Sequence, residues 1–154
     1  MEYVESKTGR TIFARFSEGE DLLETITEVA RKTRVSAGFF MLIGTLKTAK
    51  LGFFKEGTYE TIEMNQPLEI VSCLGNISIK EGNVFAHAHM TVSDKSGRVS
   101  GGHVMPGCAT GVTGELALVE AKGVRMHRRF DQETGLSLLS FSKSLSSSRK
   151  KRSV

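Results

Sequence analysis

Three of the chain's four histidines stand close together, in His87-Ala88-His89 and in Gly101-Gly102-His103. On a β-strand, side chains at i and i+2 point to the same face, so His87 and His89 lie side by side. The stretch from Thr91 to Ser100 predicts a hairpin with the three-residue loop Lys95-Ser96-Gly97. Gly97 supplies the positive φ that this loop needs. Such a loop pairs Asp94 with Arg98 and therefore His89 with His103, on one face and roughly 5 Å apart. Three imidazoles aimed at one point are the donor set of an open metal site, whose fourth position is left to water, a small carbonyl ligand or a neighbouring subunit. By ligand type the set suits zinc, copper, iron or nickel. A two-residue loop would turn His103 to the other face, so the metal expectation depends on register. The competing reading, histidines simply hydrogen-bonded on a strand surface, is disfavoured by three on one face.

Other candidates carry less. In Thr113-Gly114-Glu115-Leu116-Ala117-Leu118-Val119, alternation puts Glu115 on the face of Ala117 and Val119. A carboxylate among small apolar residues either has a partner or is costly to bury. It could orient a ligand imidazole or act as a general base; an ordinary solvated strand carboxylate is the alternative. Arg125, His127 and Arg129 share a face, with Val124, Met126 and Phe130 on the other. That stripe reads as the solvated side of a sheet, or as an anion-binding one. Gly75, Gly101, Gly102 and Gly107 lead into no helix, so no phosphate-binding loop is legible.

The elements that must position these residues are mostly strands. Thr11–Phe16 alternates as a strand. The acids Glu18, Glu20 and Asp21 then open a helix in which Leu22, Leu23, Ile26, Val29 and Ala30 recur at helical spacing, closed by Arg31, Lys32 and Arg34. Strands are predicted over Ser36–Leu46 and Ala49–Phe54 with a turn at Lys47-Thr48, then over Leu68–Ser78, Cys108–Ala121, Val124–Phe130 and Leu136–Phe141. Turns fall at Glu81-Gly82-Asn83, at Lys122-Gly123 and over Asp131–Gly135. One readable helix among many strands places the fold in the α+β class, dominated by antiparallel sheet. A three-fold assembly would bury apolar strand surface that one helix cannot cover.

At 154 residues the chain is one domain by length. No run reaches the roughly 18–20 apolar residues of a membrane span. The first residues lack the pattern of a signal peptide, and two cysteines, Cys73 and Cys108, suit a reducing cytoplasm. The net charge of +4 belongs to the end of the chain. Residues 1–141 hold 16 basic against 17 acidic residues, a balance unlike a phosphate-binding body. Residues 142–154 read as a disordered basic tail, whose Arg149, Lys150, Lys151 and Arg152 offer at most a salt-sensitive attraction to DNA.

A resemblance joins these pieces. It rests on Gly19-Glu20-Asp21, Gly44-Thr45-Leu46, Glu69-Ile70-Val71-Ser72 with Gly75-Asn76-Ile77, the two histidine elements, Glu115, and Arg129-Phe130-Asp131-Gln132-Glu133-Thr134-Gly135-Leu136. In this order the chain resembles the plant-and-prokaryote conserved (PPC, or DUF296) domain over roughly residues 8–141. The resemblance implies an antiparallel β-rich domain flanked by one or two helices, similar to acetolactate decarboxylase, and a homotrimer. It also implies zinc on His87, His89 and His103. Plant members carry an Arg-Gly-Arg AT-hook, which this sequence lacks, so the implied DNA-associated role would fall to the tail. The expected function is a metal-binding domain, 1–141, with a regulatory or DNA-associated role. The alternative is a zinc-dependent lyase or hydrolase acting on a small carbonyl substrate, with Glu115 handling protons.

Overall fold

Period-two alternation builds nine strands and helical spacing one helix across residues 1–144, the part of the chain that this computed structural model describes. In order they are β1 (Lys7–Phe16), α1 (Leu22–Lys32), β2 (Gly38–Lys55), β3 (Thr58–Met64), β4 (Leu68–Lys80), β5 (Asn83–Ser93), β6 (Val99–Val104), β7 (Ala109–Lys122), β8 (Val124–Phe130) and β9 (Ser137–Lys143). The fold is α+β, a largely antiparallel sheet with a single helix. No described helix is long and apolar enough to cross a membrane.

The long strand β2 organises the sheet. Its first half pairs with β7 on one side and β4 on the other, and its second half with β3 and β6. Because β6 leads through β5 to β4, and β4 returns to β2, the pairing closes into a circuit of four strands. The turn expected at Lys47-Thr48 is absent. Thr48 pairs with Ala109 of β7, and register shifts between Gly44 and Thr48 absorb the irregularity without ending the strand.

Two further features depart from the sequence reading. β3 is a new strand, joined to β2 through Glu56 and Gly57, both at positive φ. Almost all of its residues are exposed, so no buried face marks it in the sequence. The chain does turn at Gly123, but β8 does not fold back on β7. It runs parallel to β4 through Ile79↔His127 and Lys80↔Arg128, and antiparallel to β9. β9 continues past Phe141 to Lys143, and the basic cluster Arg149, Lys150, Lys151 and Arg152 lies outside the described residues.

The core lies between α1 and one face of the sheet. Asp21 caps the helix by accepting from the Glu24 N–H at 3.0 Å. Leu22, Ile26 and Ala30 then point inward, against a sheet face that includes Phe40, Leu42, Leu116 and Leu118. Burying each large apolar side chain contributes about 1.5–3 kcal/mol. Among the described residues no helix covers the opposite face. Directly paired residues share a face, so one row crosses six strands as Phe13, Ala117, Met41, Leu74, His89 and His103. Its large apolar members are open to solvent, with Phe13 80% and Leu74 55% exposed.

Candidate metal centre

The β5–β6 ribbon turns as its sequence dictates. The Asp94 N–H donates to the Arg98 carbonyl at 3.0 Å, the Gly97 N–H donates to the Asp94 carbonyl at 2.9 Å, and Gly97 takes φ 77°. The Asp94 carboxylate ties the tip by accepting from the Ser96 N–H at 2.8 Å, the Ser96 hydroxyl at 2.6 Å and the Arg98 N–H at 3.1 Å. The register is therefore His89↔His103. Gly102 lets β6 approach β2, since a Cβ there would stand 2.9 Å from the Gly52 carbonyl oxygen.

This register brings the three imidazoles together. Ring centroids are 5.2 Å apart for His87 and His89, 4.9 Å for His87 and His103, and 5.4 Å for His89 and His103. One potential ligand atom from each lies within 4.8 Å of the others. His87 and His103 are half-buried and His89 is exposed. The His103 Nδ1 is buried without a hydrogen-bond partner, and an orphaned ring nitrogen inside a cluster of imidazoles fits a metal as its missing partner. Burial, the Arg128 cation and the neighbouring rings push His87 down to about 4. Burial, then His89 and Arg128, lower His103 as well. Neutral imidazoles are the form that ligates metals.

The triad opens into a cavity of about 790 Å³ whose walls include Tyr59, Lys80, Glu81, Phe85, Arg128 and Leu138. Tyr59, on β3, stacks on His103 with centroids 4.9 Å apart. Arg128 is delivered by the parallel pairing of β8 with β4 and donates to the Asn76 side chain at 2.8 Å. Neither Tyr59 nor Arg128 is singled out by the sequence reading. Arg128 did leave a signal, because it sits in phase with Val124, Met126 and Phe130 on the less polar side of β8.

The remaining candidates stand elsewhere. Glu115 is exposed on β7, opposite Arg15 and Ile43, and lines a different hollow with Phe13 and Met41. It shares a sheet face with the triad but is three strands from β5, about 14 Å at ~4.8 Å per strand. Within one chain, the orienting or general-base role has no contact to act through. Arg125 and Arg129 are exposed, and half-buried His127 lies in phase with them, away from the cavity walls.

The profile of the Plants and Prokaryotes Conserved (PCC) domain matches residues 3–122. A plant- and prokaryote-conserved (PPC) protein from Pyrococcus horikoshii is similar with a TM-score of 0.84 and 34% identity, over 94% of this chain and 100% of that one. A metal-containing protein from Archaeoglobus fulgidus is similar with a TM-score of 0.84 and 30% identity, over 91% and 99% of the two chains. A "putative DNA-binding protein" from Ralstonia eutropha gives a TM-score of 0.73 and 27% identity, over 83% and 89%. The Bifunctional protein GlmU of Synechococcus sp. (strain JA-3-3Ab) is 32% identical over 122 residues, 79% of this chain and 19% of that protein. The chain thus spans about a fifth of the length of the curated relatives it matches.

Proposed function

The chain belongs to the Plants and Prokaryotes Conserved domain family, and from that premise we propose that it is a zinc-binding, regulatory module working as a homotrimer, its ligands His87, His89 and His103. The observation that carries this reading is the triad with its orphaned His103 Nδ1. A divalent ion held by His87, His89 and His103 would supply Lewis acidity toward a carbonyl or a water. The chain's own residues prepare the site. Burial and the Arg128 cation favour the neutral form of His87 and His103, Tyr59 packs over the His103 ring, and the Asp94 tip holds the register. The name of the Archaeoglobus relative, metal-containing, supports the same reading.

The trimer is supported by the uncovered row from Phe13 to Leu74, since a closed three-fold assembly gives such a face a partner. The two unpaired, buried cysteines suit a cytoplasmic setting. A second reading is favoured by the cavity itself. Its room beside the triad suits a zinc-dependent lyase or hydrolase acting on a small carbonyl compound. DNA association, suggested by the name of the Ralstonia relative, would fall to Arg149, Lys150, Lys151 and Arg152.

Metal analysis of the purified full chain tests the proposal. We expect about one ion per chain, falling below a tenth of that in the His87→Ala, His89→Ala double variant. Full metal content in the double variant would overturn the assignment.

A further inference from the structure

The cavity beside the triad holds a charged group that metal binding does not use. Arg128 is half-buried, and no carboxylate lies within salt-bridge reach of it among the described residues. A guanidinium has five N–H donors. Those of Arg128 reach Asn76 Oδ1 at 2.8 Å and, more weakly, Ser78 Oγ and the Ser137 carbonyl, both at 3.4 Å. All three acceptors are neutral, which leaves two donors unmatched and the charge faced only by the Phe85 ring, 5.9 Å from Cζ, among the described residues. An unpaired cation withdrawn from water is costly.

The neighbouring strand adds to this cost. Lys80 is the direct β4 partner of Arg128, so two like charges stand side by side on one face, a destabilising arrangement. The Lys80 ammonium lies 5.5 Å from the Phe85 ring centroid and has no carboxylate partner among the described residues either. Glu81 is the single acid among the cavity's lining residues, while Phe85, Phe130, Leu136 and Leu138 give it an apolar wall. Two adjacent cations, one acid and an apolar wall describe a receptor for a negatively charged organic molecule.

We infer that Arg128 is the recognition point for an oxyanion, and that the cavity takes a small carboxylic acid or phosphate ester. The anionic head lies on the Arg128 fork with Lys80 in support, and the apolar body lies along Phe85, Leu136 and Leu138. A planar guanidinium matches two oxygens at once, which a lysine cannot reproduce. This names the ligand class of the site proposed above and rests on that reading for the second anchor, the ion held by the histidines. Arg128 lies beyond residues 3–122, the stretch matched by the family profile.

The test is calorimetric titration of the purified full chain with benzoate, phenyl phosphate and benzamide, three head groups on one aromatic body. Metal content is measured on the same samples. At least one of the two anions should bind ten or more times tighter than benzamide, and the tighter one identifies the head group as carboxylate or phosphoryl. Arg128→Gln should weaken anion binding at least tenfold while keeping its metal. Arg128→Lys, with a wild-type melting curve, should recover only part of the loss. Benzamide binding as well as the anions, no anion binding by the wild type, or undiminished affinity in a folded Arg128→Gln each overturns the inference. Arg128-dependent binding by a protein without metal would leave the anion site standing and remove the metal reading. Full metal with no anion binding would do the reverse.

Discussion

Two arginines of this sheet sit in opposite circumstances. Arg10, at an irregularity in the β1–β7 ladder, meets Glu120 through Nε and Nη2, both at 3.0 Å. Its backbone N–H donates to the same carboxylate at 3.2 Å, and Nη2 also reaches the Thr33 carbonyl at 2.9 Å. Arg128, on β8, has three neutral acceptors and no counter-charge among the described residues. The first cluster is closed, with charges answered inside the chain, and it ties β1, β7 and the end of α1 together. The second is open, beside imidazoles with an orphaned ring nitrogen. A fold tolerates uncompensated polar groups where something outside the chain compensates them. The contrast therefore separates a structural device from a binding one without any appeal to residue type.

The largest expected effect concerns the ground between the two clusters. The row Phe13, Ala117, Met41 and Leu74 spans the sheet from the closed cluster's strands toward the open one. If subunits meet there, Met41→Glu puts an unpaired carboxylate into the interface, at a cost of several kcal/mol. The mass measured by sedimentation at micromolar concentration should fall from three chains to one, with the core between α1 and the sheet still folded. An unchanged mass would mean that the row is not the contact. A smaller effect is expected at the tip of the histidine ribbon. Asp94→Ala removes three hydrogen bonds from one loop and should lower the urea unfolding midpoint. It should also weaken metal binding, because the tip sets the register of His103. Metal affinity equal to wild type would show that the pairing of β6 with β2 fixes the register alone.

The two clusters also differ in how far the sequence reveals them. The triad is legible because every determinant is local: i, i+2 spacing on β5, a three-residue loop with Gly97 in place, and a third histidine at the matching position. The helix is legible for the same reason, from Asp21 to Ala30. Arg128 is not, because its position follows from a parallel pairing with β4, and no local pattern encodes which strand β8 joins. Tyr59 is hidden for another reason. Its strand buries almost nothing, so the alternation that betrays β1 or β7 is missing. Glu115 shows the limit of face arguments. Alternation gives its face correctly, but the number of intervening strands, which sets the distance to the histidines, is a matter of topology.

The smallest expected effect tests the closed cluster and is visible only in acid. Hydrogen bonds from Arg10, aided by its charge, hold the Glu120 carboxyl down to about 2, against an ordinary value of 4.5. Between these two values the unfolded chain binds the proton and the folded chain does not. Folding stability therefore rises with pH across that window. The contribution is complete above about pH 4.5 and is lost as pH falls toward 2. Its size is limited because Arg10 is half exposed and water screens the pair. Glu120→Gln should lower the melting temperature by a few degrees at most at neutral pH. It should also flatten the acid limb of the stability curve between pH 4.5 and 2, with metal content and anion affinity unchanged. A variant that keeps the full acid limb would show that the pair is not the source of that slope. A variant that loses metal would show that the closed cluster and the open one are coupled, and the separation argued from their hydrogen-bond accounting would fail.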